Sequence, residues 1–524
     1  MPINSQSQSP RSAVVIGSGF GGLSAAIRLQ AMGMQTTLIE QHDKPGGRAG
    51  IWEQDGFRFD AGPTVVTAPH CLEELFNITG KSMQQYIRLK PVDPMYRLFW
   101  EDGTSFDYTR DEKQLLRNIE TLSPDDVEGY SRFQKYASKV FEKGYLDLGH
   151  VPFLKITDML AVAPDLIRLN AHRSVYSIVS DFIKNPKLRQ AFSFNSLLIG
   201  GNPFVASAIY TLIHPLEKKW GAWFPEGGMH ALVTALTKLF EDCGGQVRMS
   251  TTVTSIDTKN GQIAGVTTAD GHSLRADIVV SNADIAHTYT KLLKNEPRLA
   301  AKRRSIVRKR YSPSLFLVYF GTNKSFPGLL QHNVMFGPRY KEHLADIFDN
   351  GVLADDFSLY LHAPSVTDGT LAPAGCQTFY ALSPVPNNIK SGIDWKDAAP
   401  AYRERIINYL EQRYMPGLSA SIVTEKVFTP DDFATRLQAF GGSAFSLEPV
   451  LTQSAWFRIH NRDRQVRGLY FCGAGTHPGA GIPGVVASGK ATADVIAKDY
   501  GFEAFHARSA QMAAELKYAA LSQS

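Results

Sequence analysis

The stretch from Val14 to Leu29, VVIGSGFGGLSAAIRL, constrains the fold more than any other part of the chain. It is apolar, rich in glycine, and carries no charge between Arg11 and Arg28, a run of 16 residues. A membrane-spanning helix needs about 20 apolar residues. A secretory signal needs a small-residue cleavage site, which the following RLQAMGMQ does not supply. Strand, turn and helix is the reading that remains. Ala13 to Ile16 form a short buried strand, and Gly17, Gly19 and Gly22 spell GxGxxG. Leu23, Ala26, Ile27 and Gln30 then recur at helical spacing. Thr36 to Glu40 read as a second strand, ending in a carboxylate 18 residues beyond Gly22. Each glycine has a task in that frame. Gly17 permits the tight turn, Gly19 lets backbone approach a pyrophosphate, and Gly22 lets helix touch strand. The helix start offers unpaired N–H groups to phosphate. Glu40 accepts hydrogen bonds from a ribose, and its charge disfavours a 2′-phosphate.

Further turns extend this first unit beyond what an NAD domain needs. KPGGRAG, Lys44 to Gly50, turns the backbone so that Arg48 can reach back as a charge-assisted donor to pyrophosphate. FRFDAGPTVV, Phe57 to Val66, contains a Gly62-Pro63 turn that brings backbone close again. At the other end of the chain, Leu469 to Tyr500 read as a buried strand, a glycine-rich loop and a helix beginning near Gly484. A helix N-terminus carries roughly half a positive charge, which suits a ligand carrying negative charge. Two glycine-rich loops so far apart in sequence suggest one site assembled from distant segments.

A chain of 524 residues corresponds to roughly two or three structural units. Cys71, Cys243, Cys376 and Cys472 stand far apart, which argues against a zinc site or disulfide framework and for a reducing compartment. The net charge of +5 is local. Lys302 to Arg310, KRRSIVRKR, holds six of the 55 basic residues, leaving 49 against 50 acidic ones. That run reads as a solvated helix face or as attraction to anionic lipid; no nucleic-acid motif accompanies it, and no nucleic-acid partner is expected. The histidines lack metal-ligand spacing, so no metal is expected.

The glycine-loop segments resemble the flavin amine oxidase and carotenoid desaturase superfamily. Central segments, among them LRQAFSFNSLLIGGNPF, YTLIHPLEKKWGAWFPEGGMHALV and GSAFSLEPVLTQSAWFR, together with GAGTHPGAGIPGVV, resemble bacterial phytoene desaturases of the lycopene-forming type from about Ser12 to Tyr500. That resemblance implies FAD as redox cofactor and a forty-carbon polyene substrate, desaturated stepwise from cis-phytoene to all-trans lycopene. It also implies peripheral attachment to the inner face of a bacterial cell membrane and electron transfer to quinone or oxygen. The family's FAD contacts fall on Gly17, Gly19 and Gly22 at the pyrophosphate, Glu40 at the ribose, Arg48 at phosphate and Thr64 near the flavin. Val253 meets the adenine, and Gly475, Gly484 and Val485 line the isoalloxazine.

The fold expected is α/β, with a Rossmann-like FAD-binding domain interleaved in sequence with a mixed-sheet, α+β substrate domain under a helical cover. Residues 12–90, 225–301 and 460–500 are assigned to the first domain, and 91–224 and 302–459 to the second, which is membrane-associated. Residues 1–11 are expected to be disordered and 501–524 to form a tail or helix. Aromatic strands such as MYRLFW and LFLVYF need cover on both faces, from core packing or from a long apolar ligand. Val151 to Leu169 reads either as an interfacial helix or as a buried one. The cofactor carries the reaction, so no catalytic triad is required. Asp158 is the candidate proton acceptor, against a capping role. Competing readings are a desaturase with another product or substrate (neurosporene, thirty-carbon or hydroxylated chains) and a non-catalytic prenyl-chain carrier. The sequence leaves open the oligomeric state, a homo-oligomer included.

Overall fold

The computed structural model describes residues 12–522; the disordered leader expected over 1–11 lies outside them. Ser12–Ile16 is the central strand of a five-stranded parallel sheet, ordered Leu469–Phe471, Ile278–Ser281, Ser12–Ile16, Gln35–Ile39, Gln246–Arg248. Val14 lies opposite Val279 on one side and Thr37 on the other. A parallel strand covered on both faces must be apolar nearly throughout, which is why AVVI and IVV carry no polar side chain and why Tyr470 of LYF donates its hydroxyl to Asp499 Oδ2 at 2.7 Å. Beside this sheet, Gln262–Thr268 and Ser273–Arg275 pair as an antiparallel hairpin, with Gly271 at φ +83° in the turn.

The two ends of the chain meet on one face of the parallel sheet. Helix Phe20–Ala31 packs against helix Ile482–Tyr500. Ser24 Oγ donates to the Val486 carbonyl at 2.8 Å, across 462 positions. A Cβ on Gly489 would lie 2.5 Å from Ser24 Oγ, so only glycine allows this approach. Arg28, 1% exposed, is buried beside this junction. Its Nη2 sits 2.9 Å from Glu74 Oε1, and Lys490 Nζ sits 2.9 Å from Glu74 Oε2. Burial pushes the Glu74 carboxyl up, but the two cations pull harder and hold it at about 2. A buried charge is tolerated because it is paired in this way.

A second sheet has seven strands, ordered Ile422–Phe428, Ser314–Thr322, Gln377–Val385, Leu359–His362, His332–Met335, Tyr96–Phe99, Ser105–Tyr108. All neighbours are antiparallel except His332–Met335 with Tyr96–Phe99. Side chains alternate across a strand, and the alternation decides what the aromatic strands do. Phe316, Val318 and Phe320 share one core with helix Trp395–Arg413, the Phe316 ring centroid lying 5.6 Å from Trp395 and 5.0 Å from Tyr402. Leu315 and Leu317 point the other way and line a cavity, and Tyr319 on that face donates to the Ala61 carbonyl at 2.9 Å. One face is therefore ordinary core, and the other is the wall of an internal space.

Two further helices lie outside the sheets, and of these only Glu503–Ser522 borders that space. Ile156–Arg168 has no fully buried residue, and Leu160 and Ile167 are 63% and 68% exposed. Glu503–Ser522 turns Phe505, Ser509 and Ala520 inward, and its Ala513 and Leu516 reach the cavity. Among the described residues no helix is long and apolar enough to cross a membrane.

Candidate flavin cleft and apolar chamber

A cavity of ≈ 690 Å³ is lined by both sheets. Its polar end is built from the first strand, turn and helix. Gly17, Gly19, Glu40 and Val253 line it. Glu40 is fixed at the lip: Oε2 accepts from Ser18 N at 2.9 Å and Ser18 Oγ at 2.6 Å, and Oε1 accepts from His42 N at 3.0 Å. Ser18 Oγ in turn accepts from Gly46 N at 3.0 Å, tying the second glycine turn to the first. Gly22 does not face the space. It lets the helix start touch the turn, because a Cβ there would lie 1.9 Å from the Gly17 carbonyl oxygen. Asn282, after the strand Ile278–Ser281, sits between the two glycine loops: a Cβ on Gly21 would meet its Oδ1 at 2.6 Å, and one on Gly473 would meet it at 2.5 Å.

Helix Phe20–Ala31 begins at Gly19 with no side-chain cap, so its first N–H groups remain for a ligand. Arg48 lines the same end. Its Nη2 donates to the Ser443 carbonyl at 3.4 Å, while its Nε is buried without a partner. Burial lowers the guanidinium pKa, against the pull of Asp284. A half-buried guanidinium with an unpartnered Nε, beside an uncapped helix start and a close backbone turn, is the donor set a pyrophosphate would complete.

The far glycine loop forms the middle of the cavity. Arg458, 2% exposed, staples it, with Nε donating to the Thr476 carbonyl at 3.0 Å and Nη2 to the Ala474 carbonyl at 2.5 Å. The following helix begins at Ile482, two residues before the expected Gly484, with Gly481 at its N-cap position and no side-chain cap. Gly484, Val485 and Thr64 line the cavity. Gly475 does not; it packs the loop against Ile285, whose Cβ a side chain at 475 would meet at 2.8 Å. Thr64 Oγ1 accepts from Tyr360 OH at 2.8 Å, and the same phenol meets His332 Nδ1 at 2.7 Å.

Beyond Thr64 the lining turns apolar, with Leu198, Leu212, Ile213, Val334 and Phe336. One carboxyl, Glu217, is set among them. Asp158 is not. The structure corrects its placement: it sits in the first turn of the surface helix Ile156–Arg168, where Oδ2 accepts from Lys155 N at 2.9 Å and caps the helix. It is absent from the cavity wall. A carboxylate is stabilised there by the unpaired N–H groups of the helix start, and that is the work its geometry supports.

Arg458, Asn282, Tyr360 and Glu217 were not singled out from the sequence. Glu217 had a signal: it follows Ile213 by four residues in LIHPLEKKW, so it shares an apolar helix face. Arg458 and Asn282 act through partners hundreds of residues away or across loops, and local pattern carries no trace of that.

The family model for flavin containing amine oxidoreductases matches residues 20–497. The chain belongs to that family. It is 54% identical over 486 residues to a lycopene-forming phytoene desaturase of Pseudescherichia vulneris, covering 93% of this chain and 99% of the relative. It is 44% identical over 489 residues to a neurosporene-forming phytoene desaturase of Rhodobacter capsulatus, covering 92% and 93%. Cyclohexylamine oxidase from Brevibacterium oxydans shares the fold, with a TM-score of 0.59 at 18% identity over 94% of this chain and 99% of that one. The protein is thus an FAD-dependent oxidoreductase of the phytoene desaturase branch, as the resemblance of its central segments implied.

Proposed function

We propose that the chain desaturates phytoene, in successive steps, to lycopene. The observation that carries this reading is the cavity itself: a polar end with dinucleotide-binding geometry opens into an apolar chamber in the same space. Identity to lycopene-forming relatives, 54%, 54% and 51%, exceeds the 44% to neurosporene-forming ones, which favours lycopene as the product.

Bound FAD supplies a hydride acceptor for a C–H bond that is barely acidic. The chain's own residues do the rest. Gly17, Gly19 and Arg48 hold the pyrophosphate, Gly22 keeps their turn closed, Glu40 holds the ribose, and the Val253 backbone meets the adenine. Thr64, Gly484 and Val485 border the isoalloxazine, with Gly475 behind them. The uncapped start of helix Ile482–Tyr500 favours negative charge on the ring. Leu198, Ile213, Val334 and Phe336 exclude water and align the polyene, converting a reaction between free partners into one between held ones. In this reading residues 12–90, 225–301 and 460–500 form the FAD-binding domain, and 91–224 with 302–459 the substrate domain. Expression in cells that accumulate phytoene tests the proposal. Lycopene is the expected product; unchanged phytoene in cells containing flavin-loaded protein would refute it.

The substrate is insoluble in water, so the chamber should open toward lipid. Helix Ile156–Arg168 presents Leu160 and Ile167 to solvent, beside exposed Phe457. Arg464 bonds the Leu154 carbonyl just before that helix, and Lys302 of the basic run lies within electrostatic reach of Arg464. An apolar face flanked by cations suits the headgroup boundary of an anionic membrane. We assign this face to peripheral binding at the inner side of the cell membrane. Leu160→Glu combined with Ile167→Glu is expected to reduce flotation with phosphatidylglycerol vesicles at least about tenfold, since two buried apolar side chains at about 1.5–3 kcal/mol each are lost. Unchanged flotation would move the membrane contact elsewhere.

A further inference from the structure

Five carboxyl-bearing residues line the cavity: Glu40, Asp43, Glu74, Asp284 and Glu217. Four are accounted for. Glu40 is held by Ser18 and His42 at the adenosine end, and Asp43 is exposed. Glu74 lies between Arg28 and Lys490, and Asp284 caps a helix beside Arg48. Glu217 differs from all of them. It is 1% exposed, it faces the apolar half, and among the described residues no cation pairs with it. Its neighbour Lys218 is directed away, 2.9 Å from Glu112.

The Glu217 carboxyl is positioned by two neutral donors. Tyr96 OH donates to Oε1 at 3.0 Å, and Asn195 Nδ2 donates to Oε2 at 2.7 Å. Tyr96 and Asn195 also line the cavity. The Tyr96 ring packs 5.6 Å from His332, which bonds Tyr360, which bonds Thr64. The carboxyl is therefore linked by aromatic side chains to the flavin end. An acid kept here has a cost. A buried carboxyl without a cation is destabilising, and an apolar residue at 217 would avoid it.

We propose that Glu217 is the proton acceptor of the chamber, taking the proton that the polyene loses from the carbon next to the one that gives up hydride. This rests on the desaturase reading. In each step one C–H bond breaks with its electron pair passing as hydride to bound FAD. On the neighbouring carbon the C–H electron pair becomes the second bond of the new C=C, and the proton bonds to a Glu217 oxygen. The Glu217 carboxylate also lies where positive charge develops, so it favours hydride departure as well as proton loss. Between turnovers the proton returns to solvent.

Burial pushes the Glu217 carboxyl up to about 8, with Tyr96 and Asn195 pulling against it. The titratable groups around it do not change charge in that range. Burial raises the hydroxyls of Tyr96, Tyr108 and Tyr130 and holds His214 and His332 neutral, each at about 3. The acting form is the carboxylate, so the rate should rise as pH passes through about 8.

The test uses the FAD-loaded enzyme in phytoene-containing vesicles, following flavin bleaching in a single anaerobic turnover across pH. Wild type should show a rate that rises with pH. Glu217→Gln, which keeps the size and both hydrogen-bonding positions, should retain FAD, be roughly 10²–10⁴-fold slower and lose the rise. Infrared spectra of the resting proteins should show a protonated-carboxyl band at neutral pH that is missing in the variant. Tyr96→Phe removes a hydrogen bond that favours the charged form, so it should move the midpoint to higher pH. Equal rates and profiles in wild type and Glu217→Gln would overturn the assignment. If Glu217→Gln fails to fold, an unmoved midpoint in Tyr96→Phe would overturn it instead. A wild type that never bleaches would count against the substrate, because the infrared band reports Glu217 without phytoene.

Discussion

Gly22→Ala is expected to yield folded protein that purifies without its yellow colour. A Cβ at position 22 would lie 1.9 Å from the Gly17 carbonyl oxygen and 3.2 Å from Asn282 Cβ and Nδ2. The turn cannot move aside at little cost, because Gly17 N donates to the Ile39 carbonyl at 2.8 Å and anchors it to the neighbouring strand. Overpacking of this kind costs about 1–3 kcal/mol. Here the strained backbone is also the pyrophosphate cradle, so the cost falls on cofactor affinity, a loss of about 10- to 100-fold or more. The ratio of flavin to protein absorbance after purification reads it directly, and fluorescence titration with added FAD gives the affinity. Gly369→Ala is the control, since a Cβ there meets nothing within 4 Å and the backbone is not left-handed. Full FAD content in Gly22→Ala would mean that the turn is not the cradle.

That prediction was readable from the sequence in outline, and the reason is locality. Strand, turn, helix and terminal acid occupy residues 12–40, and the physics of a glycine turn is decided by its immediate neighbours. The same holds for the helix after the far glycine loop, expected to begin near Gly484 and found to begin at Ile482. Long-range pairing was harder to see. The aromatic strands from Tyr96 to Val385 read as apolar on both faces, but which face meets a helix and which meets a cavity depends on sheet order, and His332–Met335 beside Tyr96–Phe99 is a parallel pair that no short pattern announces. Asp158 shows the limit at a site. A carboxylate near apolar residues in sequence suggested a buried base, whereas it begins a surface helix and finds its partner three residues back. Glu217 stands beside Lys218 and Lys219, which mask the helical spacing from Ile213 that puts it on the inward face. Arg28 and Lys490 are each unremarkable alone; only the approach of their two helices makes them partners of Glu74.

The account rests on one apolar chamber opening onto one flavin. The most direct measurement mixes purified, FAD-loaded protein with phytoene in anionic vesicles under anaerobic conditions and follows the flavin spectrum. Oxidised flavin should bleach, one equivalent for each double bond formed, and stay bleached until oxygen or a quinone is admitted. Repeated cycles should then carry the carotenoid to lycopene. Flavin that remains oxidised while phytoene is bound would contradict the account and would fit a carrier of prenyl chains instead.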